Sequence, residues 1–380
     1  MQSKTIALIK RNRDYIKTLP IYEQSVFEKI IACKTEVVPS LYTRCDSCDT
    51  VHPVYKSCKD RMCPICNKSA SVKWTAHRES ELLSTPYFML TYTVPSSLRE
   101  IFLLNKELCY SLFFKAVSRS LLEGIQKNER EFHGKAGFFA VLHTWEQRLL
   151  YHPHIHVVIP GGCISDDSTR WVRSRSEFLL PVKKQSSDFR KKLIQYLHAA
   201  YKSGQLIFPE DIQMKTLFEK LEELKWVVHS QPPGQTRNNP AHVVRYLSRY
   251  VAKSPVNDRR ISRLENGNVH LRYYDRKQKK QKNDIITEVQ LLKRMVLHIL
   301  PKGFKKIRFY GFMSNRFRKS KLALCRVLLG EPISGQAEIE KKLLDDIVFL
   351  YWKYFKIDIS RCPDCAAGHI HVISGYTGSG

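Results

Sequence analysis

Two Cys-x-x-Cys pairs, Cys45/Cys48 and Cys63/Cys66, stand fourteen residues apart near the start of the chain. Paired cysteines on two separate turns supply the four soft thiolates that tetrahedral Zn²⁺ prefers, and each turn's backbone amides can hydrogen-bond the sulfurs. Four ligands leave no open position for catalysis, so the predicted zinc site is structural. Cys58 and His52, between the pairs, are alternative ligands, and Cys33 reads as a small buried hydrophobe. Cysteines clustered this way fit a metal site in a reducing compartment better than a disulfide framework. Near the other end, Cys362 and Cys365 with His369 and His371 form a candidate second, smaller metal site.

The 63 Lys and Arg against 36 Asp and Glu leave a formal net charge of +27. Such a surplus repels itself unless a polyanion neutralises it, which makes nucleic acid the expected partner. With 43% hydrophobic and 11% aromatic residues the chain is not a disordered tail, and its 380 residues accommodate two or three domains. No apolar run approaches the roughly 18 residues of a spanning helix, and the N-terminus lacks a signal-peptide stretch. The expectation is a cytoplasmic protein with no membrane partner.

Period and punctuation predict short helices over 1–32, a strand in YFMLTYTVP from 87, and a long amphipathic helix over about 97–125 broken near Asn105. Strands follow at 138–147 and 154–162, joined by a loop containing Pro153. Helices are predicted at about 187–202 and 210–224, a strand at 226–233, and a helix over 240–253. Asn266-Gly267 marks a hairpin within 261–274. A basic loop at 276–282 then leads into a helix at about 285–300, and 307–312 reads as another strand. Hairpins interleaved with helices indicate an α+β fold with an antiparallel sheet.

His154-Ile155-His156 lies on one of these strands. Residues two apart share a face, so both imidazoles can reach one ion while Ile155 packs inward. By the same parity His143, Trp145 and Gln147 share a face of the preceding strand, so His143 or Gln147 is a candidate third ligand; Glu146 reaches that face only through a bulge. Three protein ligands with open positions suit Mg²⁺ or Mn²⁺ acting on a phosphate oxygen. Tyr246 and Tyr250 are one helical turn apart, so their phenol oxygens can serve one phosphate in turn. Lys253 and Arg249 are placed to stabilise a phenolate, which matters because tyrosine titrates near 10.

Arg245, Arg249, Arg259 and Arg260 surround the tyrosines. The segment Pro301–Lys321 carries eight Lys and Arg and no acid, including Lys305, Lys306, Arg308, Arg316 and Arg318, interleaved with Phe304, Phe309, Tyr310, Phe312 and Phe317. Cations alternating with aromatics suit single-stranded DNA, with phosphates on the charges and bases on the rings.

Taken together, these blocks resemble the two-tyrosine rolling-circle transposases of bacterial insertion sequences, within the HUH (His-hydrophobe-His) endonuclease superfamily. The resemblance runs through SCKDRMCPIC, HTWEQRLLYHPHIHVVIPGG, WVVHSQPP, YLSRYVAKSPVNDRRI and LPKGFKKIRFYGFMSNRFR to LALCRVLLG. It implies a central antiparallel sheet flanked by helices, with His154 and His156 as the metal pair and Tyr246 and Tyr250 as nucleophiles forming 5′-phosphotyrosine links. His143, eleven residues before His154, resembles the third ligand of conjugative relaxases, while initiators of the superfamily often use Glu or Gln. Met62 departs from the histidine that relatives often carry there. The implied organisation is a zinc-binding DNA-recognition module over 1–84, a nuclease and strand-transferase domain over 85–258 with a helical insertion at about 185–224, and a basic DNA-binding region over 259–380. The expected partner is DNA, especially single-stranded or hairpin element ends. A replication initiator or relaxase of the same superfamily, or a non-enzymatic zinc nucleic-acid-binding protein, are the alternative readings.

Overall fold

The computed structural model describes residues 3–377 apart from 129–131, 175–178, 211, 232–240, 243, 246–253, 257, 276 and 332–341, and the backbone alone at 374–377. Helices α1 (Lys4–Arg11), α2 (Arg13–Lys17) and α3 (Ile21–Ala32) open the chain, followed by the hairpin β1 (Ser40–Cys45) and β2 (Val51–Tyr55) and helix α4 (Asn67–Ser80). After β3 (Tyr87–Thr93) come α5 (Arg99–Leu104) and α6 (Lys106–Gln126), broken where the sequence predicts. Asn105 makes the break useful: its amide donates to Ile101 O and Ile207 O and accepts from Ile207 N, tying a distant loop to the joint.

Strands β4 (Gly137–Trp145) and β5 (Tyr151–Pro160) form the central hairpin, with β6 (Gly162–Ile164) and β7 (Trp171–Arg173) as a short ribbon beyond it. Helices α7 (Val182–Lys202) and α8 (Met214–Glu223) lead to β8 (Val227–Gln231). The chain continues through β9 (Ile261–Glu265), β10 (Asn268–Asp275), β11 (Lys280–Thr287), α9 (Glu288–Leu297), β12 (Ile307–Gly311), α10 (Arg318–Leu328), α11 (Ile347–Phe355) and β13 (Ile370–Thr377). The central sheet has the order β12-β4-β5-β3-β8 and is antiparallel throughout. Helices cover both of its faces, the mixed α and β architecture expected.

One face of that sheet presents Phe88, Leu90, Tyr92, Phe138, Ala140, Leu142, Ile155, Val157 and Ile159 to a core closed by α5, α6, α7 and α8. Tyr110, Phe113, Phe114 and Val117 of α6 are fully buried there, the 3–4 spacing of an inward helical stripe. The other face carries Tyr87, Met89, Phe139, Val141 and Val158 under Trp74 of α4 and Leu322 and Cys325 of α10. Both faces of β4 and β5 are therefore buried, which explains their nearly unbroken apolar runs. A separate core joins Ile6, Ile9, Val26, Phe27 and Ile30 of the first helices to Cys63, to Leu149, and to Ile261, Val269, Leu271 and Leu292 around the β9-β10-β11 sheet.

Two expectations need revision, and the sequence reading misses one sheet. Pro153 is not in a loop but inside β5, beside the register shift between His143 and Trp145, where a missing N–H costs no ladder bond. The basic stretch at 276–282 is not one loop: Lys280 already starts β11, which pairs with β10 along its length, and the helix begins only at Glu288. Ion pairs hide this strand's polarity, with Lys282 bound to Asp275 at 2.7 Å and Asp284 to Arg294 at 2.6 Å. Finally, β1, β2 and β13 form a sheet of their own that the cysteine spacing conceals. The Asn266-Gly267 turn is as expected, with φ of 48° and 73°, the left-handed pair that a two-residue hairpin requires.

Candidate active site

The histidines converge through strand register. In β4 and β5, His143 is paired directly with His154, and His156 sits opposite Val141 on one side and Thr91 of β3 on the other. Cross-strand partners share a face, so His143, His154 and His156 stand together on the α4/α10 side of the sheet. Their ligand nitrogens all lie within 4.8 Å of one another. The ring centroids are 5.2 Å apart for His143 and His154, 4.8 Å for His143 and His156, and 4.9 Å for His154 and His156.

Burial, reinforced by the other two imidazoles, holds His143 well below the ordinary histidine range, and burial pushes His156 down to about 3. Both rings are therefore neutral near pH 7, the form that ligates a metal. Outer contacts fix their orientation. His154 donates from Nδ1 to His152 O at 2.7 Å, and Thr91 Oγ1 lies 3.0 Å from His156 Nδ1. Thr91 and the His152 carbonyl were not singled out from the sequence; the period-2 pattern of 87–93 places Thr91 on this face only once the β3–β5 register is known.

The other candidates for third ligand point elsewhere. Strand β4 ends at Trp145, so the parity argument does not extend to Gln147, whose side-chain oxygen accepts from Tyr274 N at 2.7 Å. The Glu146 carboxylate caps the same turn, accepting from Arg148 N at 2.9 Å and Leu150 N at 3.1 Å. Among the described residues, His143 is the side chain that the fold brings to the pair.

Tyr246, Tyr250, Lys253 and Arg249 lie outside the described residues. Both flanks are described and both are tethered. Ala241, His242, Val244 and Arg245 are helical, and Val244 is fully buried. Arg245 Nε bonds Glu79 Oε1 of α4 at 2.6 Å, and α4 also packs Trp74 on Phe139, so this flank stands on the histidine side of the sheet. On the other flank, Ser254 Oγ donates to Met62 O at 2.6 Å, beside Cys63.

The expected single four-cysteine cluster is instead two clusters. Cys63 and Cys66 face Cys33 and Cys58, while Cys45 and Cys48 face Cys362 and Cys365. The reason is the β1–β2 hairpin: Cys45 and Cys48 lie at its turn, and Cys58 follows β2 at its open end, a strand length of about 17 Å away. In the first cluster Cys58 Sγ is 3.6 Å from Cys66 Sγ, and Cys58 N donates to Cys33 Sγ. Cys33 is thus no mere space-filler. Four thiols at this spacing fit a tetrahedral zinc ion.

The predicted DNA-contacting cations divide into two groups. Arg245 is paired with Glu79, and Arg260 donates to the backbone carbonyls of Gln147, Pro255 and Arg272. Arg308 stacks on Phe114 at 4.5 Å and bonds Ser111, and Arg318 pairs with Glu81 at 3.1 Å over the Phe309 ring. Burial pushes Lys306 down to about 8. Arg259, Lys305 and Arg316 are exposed. Of the interleaved aromatics, Phe304 and Phe312 are buried and Phe309 and Tyr310 pack against the cores, so their rings serve the fold rather than base stacking; Phe317 is 46% exposed.

One buried histidine outside the triad gives a pH prediction. His298 lies between Thr144 Oγ1 at 3.2 Å and Leu149 O at 3.0 Å, and burial pushes it down to about 4. Between that value and the unfolded one near 6.5, the unfolded chain binds a proton that the folded chain refuses, so stability falls as pH falls through this window. The full loss is on the order of 3 kcal/mol. Urea unfolding at pH 7 and pH 5 should show the lower midpoint at pH 5, and His298→Gln should reduce that difference, leaving the part due to buried His143 and His156.

A family described as "Putative transposase" matches residues 137–321, which include every histidine of the triad and both tyrosines, and one described as "Transposase zinc-binding domain" matches residues 6–94. A protein of Sinorhizobium fredii named "Putative transposase y4qJ" is 34% identical over 95% of this chain and 92% of its own length. The "Transposase for insertion sequence element IS801" of Pseudomonas savastanoi pv. phaseolicola is 26% identical over 94% of this chain and 86% of its own. No solved structure matches, and among the described residues no helix is long and apolar enough to cross a membrane. With its zinc-binding module, its histidine-bearing sheet and relatives matched over nearly their whole length, the chain belongs to the transposases of insertion sequences.

Proposed function

We propose that the chain cuts and rejoins single-stranded DNA through 5′-phosphotyrosine links, in rolling-circle-like transposition, at a divalent-metal site made by His143, His154 and His156. The observation that carries the reading is the convergence of three imidazoles on one sheet face, with Arg245 leading into the tyrosine segment on that side. Mg²⁺ or Mn²⁺ held there would supply Lewis acidity at a non-bridging phosphate oxygen.

The rest of the chemistry belongs to the chain. The phenolate oxygen of Tyr246 or Tyr250 attacks phosphorus, the P–O3′ bond breaks, and the departing 3′ oxygen takes up a proton. The phosphodiester energy is kept in the new P–O(Tyr) bond, so the reverse attack by a 3′-OH rejoins DNA without a high-energy cofactor. Two tyrosines allow two strands to be held or exchanged in succession, and Lys253 and Arg249 lower the cost of the phenolate. Exposed Arg259, Lys305 and Arg316 hold DNA phosphates, and the 1–84 module contributes recognition of element ends, single-stranded or in hairpins.

Covalent trapping tests this. Purified chain with a labelled single-stranded oligonucleotide from the element's ends and Mn²⁺ or Mg²⁺ should give an SDS-resistant adduct, reduced by Tyr246→Phe or Tyr250→Phe alone and absent from the double variant. An undiminished adduct with the double variant would overturn the nucleophile assignment.

A further inference from the structure

We infer that Cys45, Cys48, Cys362 and Cys365 form a second four-thiolate zinc site, distinct from the one at Cys33, Cys58, Cys63 and Cys66, and that it clasps the C-terminal strand to the N-terminal module. Neither matched family reaches residue 362.

The sulfur spacing carries the argument. A tetrahedral ion with metal–sulfur bonds of about 2.3 Å sets its ligands about 3.8 Å apart. Cys45 Sγ lies 3.7 Å from Cys365 Sγ, and Cys48 Sγ lies 3.7 Å from Cys362 Sγ. A disulfide would need about 2.05 Å. The pairing is also crossed: each Cys-x-x-Cys turn gives one sulfur to each close contact, as the corners of one tetrahedron require. An all-sulfur, four-coordinate set selects zinc among the common divalent ions and leaves no open position.

The surroundings are built for sulfur ligands. Ser47 N and Cys48 N donate to Cys45 Sγ at 3.4 and 3.5 Å, and Gly368 N donates to Cys365 Sγ at 3.4 Å, which offsets thiolate charge. Gly368 has no room for a side chain, since a Cβ would stand 2.6 Å from Cys45 Sγ and 2.5 Å from Asp46 Oδ1. The nearby histidines supply no fifth corner: His369 Nε2 lies 3.6 Å from Asp358 Oδ2 and His371 Nε2 3.3 Å from Asp46 Oδ2, while His52 Nε2 sits 3.6 Å from Cys362 Sγ, where it can donate to the sulfur. Beyond the turns, β13 pairs antiparallel with β1, with Cys45 opposite Ile370 and Arg44 opposite His371. A ribbon this small and open buries little apolar area, as the exposed Val51, Val54 and Val372 attest, so a metal has to supply its cohesion.

Co²⁺ titration of the reduced full-length chain reads the proposal, because thiolate-to-cobalt charge transfer reports four-sulfur sites and is silent on the histidine site. The signal should saturate at two equivalents in the wild type and at one in the Cys362→Ser, Cys365→Ser variant. Saturation at one equivalent in the wild type, or at two in the variant, would overturn the assignment. Mass-spectrometric alkylation of the zinc-loaded wild-type chain supplies a reading that does not depend on how the variant folds. Cys45, Cys48, Cys362 and Cys365 should be protected together and released together by chelator. Free alkylation of Cys362 and Cys365 while zinc is bound, or their recovery as disulfides with Cys48 and Cys45, would contradict the site.

Discussion

Replacing His143 with alanine should lower metal-dependent cleavage of single-stranded DNA by at least about 100-fold and weaken Mn²⁺ binding, with the fold retained. His143 is 2% exposed on the strand next to the His-Ile-His pair, paired directly with His154. Its loss leaves two imidazoles on alternate positions of one strand, too few to fix an ion's geometry. Stability should change little, because two terms oppose: the substitution opens a small cavity but removes a polar ring that burial keeps neutral. Gln147→Ala, by contrast, should leave Mn²⁺ affinity unchanged, since that side chain is occupied by Tyr274 N. Isothermal titration with Mn²⁺ separates the two; equal losses for both variants would restore Gln147 as a ligand.

The second large effect concerns the first zinc cluster. Cys63→Ser should release the zinc held with Cys33, Cys58 and Cys66 and lower the melting temperature by about 10 °C or more, given that structural zinc contributes roughly 10 kcal/mol in small modules. Cys63 is fully buried in the core shared by the first helices and the β9-β10-β11 sheet, so the damage is not confined to a surface knuckle. It should also reach the chemistry. The Met62 carbonyl beside Cys63 accepts the bond from Ser254 that tethers one flank of the tyrosine segment. Covalent adduct formation should therefore fall together with zinc content, as measured by metal analysis and trapping on the same preparations. Full zinc retention in this variant would remove the cluster from the account.

The sequence made the central sheet and its histidines readable because their signals are local. The i, i+2 parity of His154 and His156, the turn dipeptide at Asn266-Gly267 and the helical break at Asn105 each follow from a few neighbouring residues. What escaped depends on partners far away in the chain. Two Cys-x-x-Cys pairs at zinc-finger spacing read as one site, yet the β1–β2 hairpin carries them to opposite ends, and their partners are Cys33 and Cys58 in one case and Cys362 and Cys365 in the other. Spacing marks cysteines as candidate ligands but not which cluster they join. The basic aromatic segment misled for a related reason: a phenylalanine beside an arginine looks the same whether it stacks on a base or, as Phe304 and Phe309 do, on a neighbouring side chain within the fold. Strand β11 was hidden because two of its charges, Lys282 and Asp284, are paired with Asp275 and with Arg148 and Arg294.

The central claim is that a tyrosine at 246 or 250 becomes linked to DNA. Trypsin separates the candidates, because Arg245, Arg249 and Lys253 bound the peptides 246–249 and 250–253, each holding one tyrosine. Mass spectrometry of nuclease-trimmed adduct should find the residual nucleotide mass, linked through phosphate, on one or both of these peptides and on no other. A nucleotide carried by any other peptide, with both of these recovered unmodified, would contradict the account.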